Sequence, residues 1–158
     1  MPEIKPYRQN FFGVTYCNLD AQRRLLLPKN WRSPDENSRY YIVPALPNFI
    51  KIFDQYHFDK FLDLLERLDE EDPSIRDGMA ITGSLSADFV PDKLGRFMIS
   101  PEIIAFGNLG KQVAFIGAVT YGLIIPRELW NKCGQDFEKL QRFQDSVSAE
   151  RRKLATGK

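Results

Sequence analysis

The sequence predicts a mainly β chain with added helices, an α+β fold made from two copies of one small unit. Three observations predict it. A shift of 72 residues lays the chain on itself: Asp20 falls on Asp92, Arg24 on Arg96, Leu25 on Phe97 and Leu27 on Ile99. Under the same shift Tyr41-Ile42-Val43 falls on Val113-Ala114-Phe115, Phe49 on Tyr121, Phe53 on Ile125 and Phe58 on Trp130. One offset that keeps apolar character over about forty positions marks an internal repeat. The apolar runs in each copy are short, rich in aromatic and β-branched residues, and bounded by turn-forming residues, as strands are. Four such strands cannot cover both faces of a stable sheet alone. The copies are therefore expected to interlock, each supplying half a barrel about a pseudo-two-fold axis.

Each copy opens with a strand, residues 13–19 or 84–90, that leads into a turn carrying Asp20 and Arg24, or Asp92 and Arg96. A second run follows, Leu25-Leu26-Leu27 or Phe97-Met98-Ile99. Pro28 or Pro101 then starts a short helical segment, where its missing N–H does no harm. The loops "SPDENSR" and "FGNLGK" lead to third strands at 39–43 and 112–116, and further turns to fourth strands at 49–53 and 121–125. A helix closes the first copy, with Phe58, Phe61, Leu62, Leu65 and Leu68 on one apolar face, and the acidic run "DEEDP" joins the halves. The second copy closes with a short helix from Pro126 to Lys132, stopped by Gly134. Phe137, Leu140, Phe143 or Gln144, and Val147 predict one more helix before a basic tail, "ERRKLATGK", expected to fray as a solvated end or to touch phosphate. The expected divisions are a first half at 13–72, a second at 84–133, and a C-terminal helix and tail at 134–158.

With 158 residues the chain is long enough for a proper core, and its aromatic content is that of a folded protein. No apolar stretch approaches the roughly 20 residues that span a bilayer, and "MPEIKPYRQNFF" lacks the apolar centre of a signal peptide. Cys17 and Cys133 have no metal-ligand spacing and read as free thiols of a reducing cytoplasm. The single histidine, His57, has no triad or metal cluster around it and is expected to be structural or exposed. Hydrolytic and zinc chemistry, and enzyme function generally, are poorly supported. A formal charge of +1 argues against indiscriminate coating of nucleic acid but leaves room for a local basic patch.

The signal for function lies in "DAQRR" and "DKLGR", where an aspartate precedes an arginine by four positions across a tight turn. The carboxylates are expected to close their own turns, accepting from backbone N–H groups and the guanidinium. The arginines, planar and always charged, suit bidentate contact with phosphate or guanine edges. One such arginine alone reads as a solvated surface residue; two copies placed side by side favour a recognition surface.

"YCNLDAQRRLLLPKNWR" resembles the first motif of the MraZ family, N-L-D-x-K-G-R-L-x-I-P-x-x-W-R, and "DKLGRFMISPEI" resembles its second. The likeness runs from about Val14 to Trp130 and includes "FIKIF" and "GLIIPRELW". It implies two AbrB-like halves in a swapped-hairpin, double-split β-barrel. It also implies a bacterial DNA-binding transcription regulator of the division and cell-wall gene cluster, with no catalytic residues, cofactor or metal. Such proteins form oligomeric rings, lie on the nucleoid in the cytoplasm, and bind short direct repeats upstream of their own operon. Double-stranded DNA and further copies of the chain are the implied partners; neither a membrane nor a small-molecule ligand is.

Matched residue by residue, the resemblance makes Arg23, Arg24, Lys93 and Arg96 the expected DNA contacts, and Asp20, Asp92 and Gly95 the expected turn-forming residues. Two positions depart from the pattern. Arg23 stands where the family has glycine, so it must find another turn geometry or bear strain; it adds a phosphate contact or alters which DNA is read. Ser100 stands at a usual proline position, beside Pro101. A ring would reconcile a nearly neutral chain with a basic face, because weak contacts sum over repeated sites. The alternative is a protein-interaction module, an AbrB-like relative of antitoxin type whose helices grip a partner.

Overall fold

The computed structural model describes residues 7–133 and 136–157. The chain divides into two compact units, Met1–Glu128 and Leu129–Lys158. The first holds β1 (Val14–Asn18), β2 (Arg24–Leu26), a 3-10 turn (Lys29–Trp31), β3 (Tyr40–Ala45), β4 (Phe49–Phe53), α1 (Gln55–Leu65) and α2 (Pro73–Leu85). It continues with β5 (Ala87–Phe89), β6 (Arg96–Met98), α3 (Pro101–Phe106), β7 (Gln112–Gly117), β8 (Gly122–Pro126) and the first two residues of α4 (Arg127–Cys133). The second unit consists of the rest of α4 and the long α5 (Phe137–Ala155). Gly134, expected to stop the helix before it, lies outside the described residues.

The fold is mixed α+β and its sheets are antiparallel. Six strands run in the order β1-β7-β8-β4-β3-β5, and β2 pairs with β6 as a separate ribbon. Opening strands are thus exchanged: β1 of the first copy adds to β7 of the second, and β5 of the second adds to β3 of the first. Where the copies meet, Leu25 pairs with Phe97 in the ribbon and Lys51 with Leu123 between β4 and β8. Each of these pairs joins residues related by the 72-residue shift, so exchanging the copies maps either ladder onto itself. The opening strands follow a shift of 71 instead, since Asn18 pairs with Gln112 and Phe89 with Tyr40. The second copy has Val90-Pro91 where the first has only Leu19, an insertion absorbed before the turn.

Burial explains the strands. Ile50, Ile52 and Ile124 point into one core with Leu25, Leu27, Phe97 and Ile99 from the ribbon, all nearly inaccessible to solvent. Trp31 stands edge-on between Phe11 at 5.2 Å and Phe115 at 5.6 Å, and its indole N–H donates to the Phe12 carbonyl at 3.0 Å. A β-carbon on Gly122 would fall 2.6 Å from the Trp31 ring, so the indole occupies space that only glycine leaves. At the equivalent positions of the other copy stand Ile103 and Ile50, both fully buried. The two copies distribute core volume differently over one backbone plan.

The helices differ from expectation in three places. The acidic joint is followed by α2, and only Ala87–Phe89 of the expected 84–90 strand is extended. The cause is local: Asp72 caps the helix by accepting from the Ser74 N–H, Pro73 takes the first turn, and Ile75, Met79 and Thr82 form its half-buried face. The first closing helix starts at Gln55, earlier than its apolar stripe, because Asp54 caps it through the His57 N–H. The segment expected to fray is helical to Ala155, where good helix formers carry Glu138–Arg142 and Glu150–Lys153 ion pairs along one face. Ser100, at the unusual position, caps α3 by accepting from the Ile103 N–H.

Candidate nucleic-acid interface

The two aspartate–arginine turns form the same structure twice. Asp20 Oδ1 accepts from the N–H groups of Gln22 at 2.9 Å and Arg24 at 2.8 Å, and Asp20 Oδ2 accepts from Arg24 Nε at 2.7 Å. Asp92 does the same with Leu94 at 2.9 Å, the Arg96 N–H at 2.9 Å and Arg96 Nε at 2.8 Å. Backbone bonds between the Asp20 N–H and the Arg24 carbonyl, and between the Arg23 N–H and the Asp20 carbonyl, close the first turn. Their counterparts join Asp92 with Arg96 and Gly95. The Arg24 N–H holds the Asp20 carboxyl below its ordinary range, and the Arg96 N–H does so for Asp92; partial desolvation opposes this and the guanidinium adds to it.

Pairing of β2 with β6 sets these turns at opposite ends of one short ribbon. Leu25 and Phe97 point into the core, which leaves Arg24 opposite Met98 and Leu26 opposite Arg96 on the outer face. Leu26 and Met98 are exposed, so the face alternates guanidinium with apolar side chain. Both arginines spend Nε on their aspartate; among the described residues their terminal nitrogens have no hydrogen-bond partner. The aspartates thus orient the forks without consuming the planar pair of N–H₂ groups. Lys93, exposed at the tip of the second turn, lines a cavity of about 420 Å³ with Arg32, Asp35 and Glu36, a surface of mixed charge.

Of the two courses open to it, Arg23 takes the strained one. It keeps the glycine geometry, with φ at 60° against 88° for Gly95. Its Nε donates to the Ile99 carbonyl at 3.3 Å, and its own carbonyl accepts from the Ile99 N–H at 3.0 Å. On the other side of the ribbon the Leu27 N–H donates to the Gly95 carbonyl at 2.8 Å, while the Leu27 carbonyl accepts from Arg32 Nε at 3.0 Å and Nη2 at 2.7 Å. A β-carbon on Gly95 would collide with that Arg32 guanidinium. The residue that matches Arg32 in the second copy is Ile104, which packs on the core and offers no donor. A guanidinium therefore caps each strand-end carbonyl, from Arg32 over a glycine in one case and from the turn residue Arg23 in the other. The motif alone did not reveal Arg32; the signal was the pairing of arginine at 32 with glycine at 95.

Two other sequence expectations meet their geometry here. His57 is buried, its Nδ1 2.6 Å from Asp54 Oδ1. Burial pushes the Cys17 thiol up, against a smaller effect of a backbone bond from Leu26. Among the described residues no group of three or more His, Cys, Asp or Glu is placed to hold a metal, and no helix is long and apolar enough to cross a membrane.

Residues 11–77 match the family model described as "MraZ protein, putative antitoxin-like". A protein of Paenarthrobacter aurescens (strain TC1) named "Transcriptional regulator MraZ" is 29% identical over 122 residues, covering 77% of this chain and 85% of its own. Proteins of the same name from Dictyoglomus turgidum, 26% identical, and Dictyoglomus thermophilum, 25% identical, cover 87% and 92% of this chain and 96% of their own lengths. The match to the Dictyoglomus thermophilum protein covers enough of the chain to include both turns and both copies of the repeat, and the chain is similar to MraZ proteins across that length.

Proposed function

We propose that this chain is a DNA-binding transcriptional regulator that presents the β2–β6 ribbon to duplex DNA. The observation that carries the reading is the matched pair of turns, each aiming an arginine fork outward from an aspartate clamp on one exposed ribbon. A two-stranded ribbon fits the major groove, and guanidinium forks match phosphate and guanine edges. Arg24 and Arg96 are the base- or phosphate-reading residues in this proposal, with Lys93 at the rim. Arg23 acts first as a strand-end cap and adds its charge to the local field. The exposed Leu26 and Met98 give apolar contacts of the kind thymine methyl groups accept.

The finer points rest on the family resemblance: a double-split barrel formed by the six-stranded sheet and the ribbon, a ring of chains on the nucleoid, and short direct repeats upstream of the chain's own operon as targets. The apolar groove among Phe61, Leu62, Leu65, Ile75 and Met79, about 520 Å³ in volume, favours self-association through α1 and α2. It also favours the second reading, a module whose helices grip a partner protein. Selection of bound fragments from the chain's own upstream region, followed by a salt titration, separates the two. DNA binding through phosphates weakens steeply with salt, whereas apolar partner binding does not. Absence of any selected fragment would refute the DNA-binding reading.

A further inference from the structure

Away from the ribbon, the first unit carries a second gathering of cations. A cavity of about 430 Å³ is lined by Arg8, Lys51, Lys60, Tyr56, Tyr121 and His57, together with apolar residues, and by no carboxylate. Arg8 Cζ lies 5.0 Å and Lys60 Nζ 5.5 Å from the centre of the Tyr56 ring, and Lys51 Nζ lies 4.3 Å from that of Tyr121. Among the described residues none of the three is in an ion pair. The tyrosine faces hold these cations in place without neutralising them.

His57 completes the wall. Its side chain is 8% exposed. Asp54 Oδ1 takes Nδ1 at 2.6 Å, and Asp54 Oδ2 accepts from the Gln9 N–H at 2.6 Å. That leaves Nε2 as the imidazole atom without a protein partner, in a residue that lines the cavity. Helix capping explains Asp54 but not this remaining nitrogen.

The repeat provides a control for what the fold itself requires. At the positions matching Lys51, Tyr56 and His57 the second copy has Leu123, Glu128 and Leu129; only Lys60 is matched by another cation, Lys132. An equivalent strand and helix are thus built without the cluster. Packing does not call for three unneutralised cations around one cavity, but an anion does. The volume lies within the range of small-molecule sites, roughly 300–1,000 Å³, and exceeds the needs of a bare ion.

We propose that this cavity binds the phosphate group of a small ligand, with Arg8, Lys51 and Lys60 as charge-assisted donors and His57 Nε2 as a further polar contact. The experiment titrates the full chain with adenosine monophosphate, inorganic phosphate and adenosine at millimolar concentrations. Calorimetry gives the stoichiometry, and the imidazole proton resonances report the site without ambiguity because His57 is the only histidine. The expected result is one saturable site per chain for the phosphates, a shift of the His57 resonances, and no binding of adenosine. Tighter binding of the nucleotide identifies an organic phosphate as the ligand class; equal binding identifies free phosphate. A Lys51→Met, Lys60→Met variant with an unchanged circular-dichroism spectrum should bind at least about tenfold more weakly. No saturable shift, or a variant that binds as the parent does, would overturn the proposal. So would a variant that loses DNA affinity or assembly while the parent binds no phosphate. Those results would assign the cations to DNA or to an acidic segment of a second copy.

Discussion

The guanidinium of Arg32 fills the space left by the absent side chain of Gly95. It donates from Nε and Nη2 to the Leu27 carbonyl, while the Gly95 carbonyl accepts from the Leu27 N–H. One residue from each copy thereby locks the end of the ribbon that carries Arg96. Across the pseudo-two-fold, Arg23 supplies the equivalent donor from the turn position itself. Placement of Arg24 and Arg96 thus depends on residues outside the aspartate–arginine motif.

Gly95→Ala should be costly. The backbone there is left-handed at φ 88°, and the new methyl group would displace Arg32 from both bonds to Leu27. Strain and lost hydrogen bonds together should lower stability by about 1–3 kcal/mol. Chemical denaturation measures this, and a loss well below that range would mean that Arg32 moves aside without consequence.

Arg23→Gly sets two small terms against each other. Relief of left-handed strain gains about 1 kcal/mol, and loss of one long hydrogen bond costs about the same. Stability should therefore change little. If Arg23 also neutralises a phosphate, affinity for all DNA sequences should fall together and the salt slope should drop by about one unit. An unchanged slope with unchanged affinity would restrict Arg23 to its capping bond. Combining Arg23→Gly with Ile104→Arg rebuilds the Gly95–Arg32 arrangement on the other side and should be more stable than Ile104→Arg alone.

Arg24→Ala with Arg96→Ala should weaken DNA binding and leave the fold intact. Both arginine side chains are partly exposed, and the aspartates retain their backbone donors. Each lost base-edge contact should cost about 1–3 kcal/mol. Gel-shift titration of the double variant provides the measurement; parental affinity in a protein with a native circular-dichroism spectrum would contradict the role given to the ribbon.

Acid should loosen both turns. The carboxyl groups of Asp20 and Asp92 ionise below their ordinary range in the folded chain, so the unfolded state binds protons more readily. Their contribution is then fully present above the usual aspartate range and is lost as pH falls through the lowered folded values. Melting temperature should decline over that interval, and Asp20→Asn with Asp92→Asn should flatten the decline. An identical pH profile in the variant would show that other carboxylates control it.

Light scattering should report an oligomer larger than a dimer, and Leu62→Asp should reduce its size. Leu62 lines the apolar groove between α1 and α2 while remaining 39% exposed, so a charge there would oppose burial in a subunit contact without opening the core. A parent chain that is monomeric at micromolar concentration would remove the basis for assembly through this face.

Local pattern by itself marked the 72-residue offset, the strands of the antiparallel sheet and the turn chemistry, but not the share of helix, which exceeds that of strand among the described residues. An aspartate four residues before an arginine needs only neighbouring backbone to form its clamp, so Asp20 and Asp92 were legible from spacing. Core strands were legible because alternate burial leaves its mark on residue type, as at Ile50 and Ile52. Helix α2 carried local signals too, the Asp72 cap and Pro73, yet its weak apolar stripe was outweighed by the acidic run before it. Tertiary structure alone decided what depends on contacts between distant residues. The particular partners of β1 and β5 in the expected interlocking, the one-residue change of register before the second turn, and the Arg32–Gly95 and Trp31–Gly122 pairs all belong to this class. In each of those pairs a large side chain fits because a distant position has none. No single-position propensity records such complementarity, since it arises only when the chain brings the two positions together.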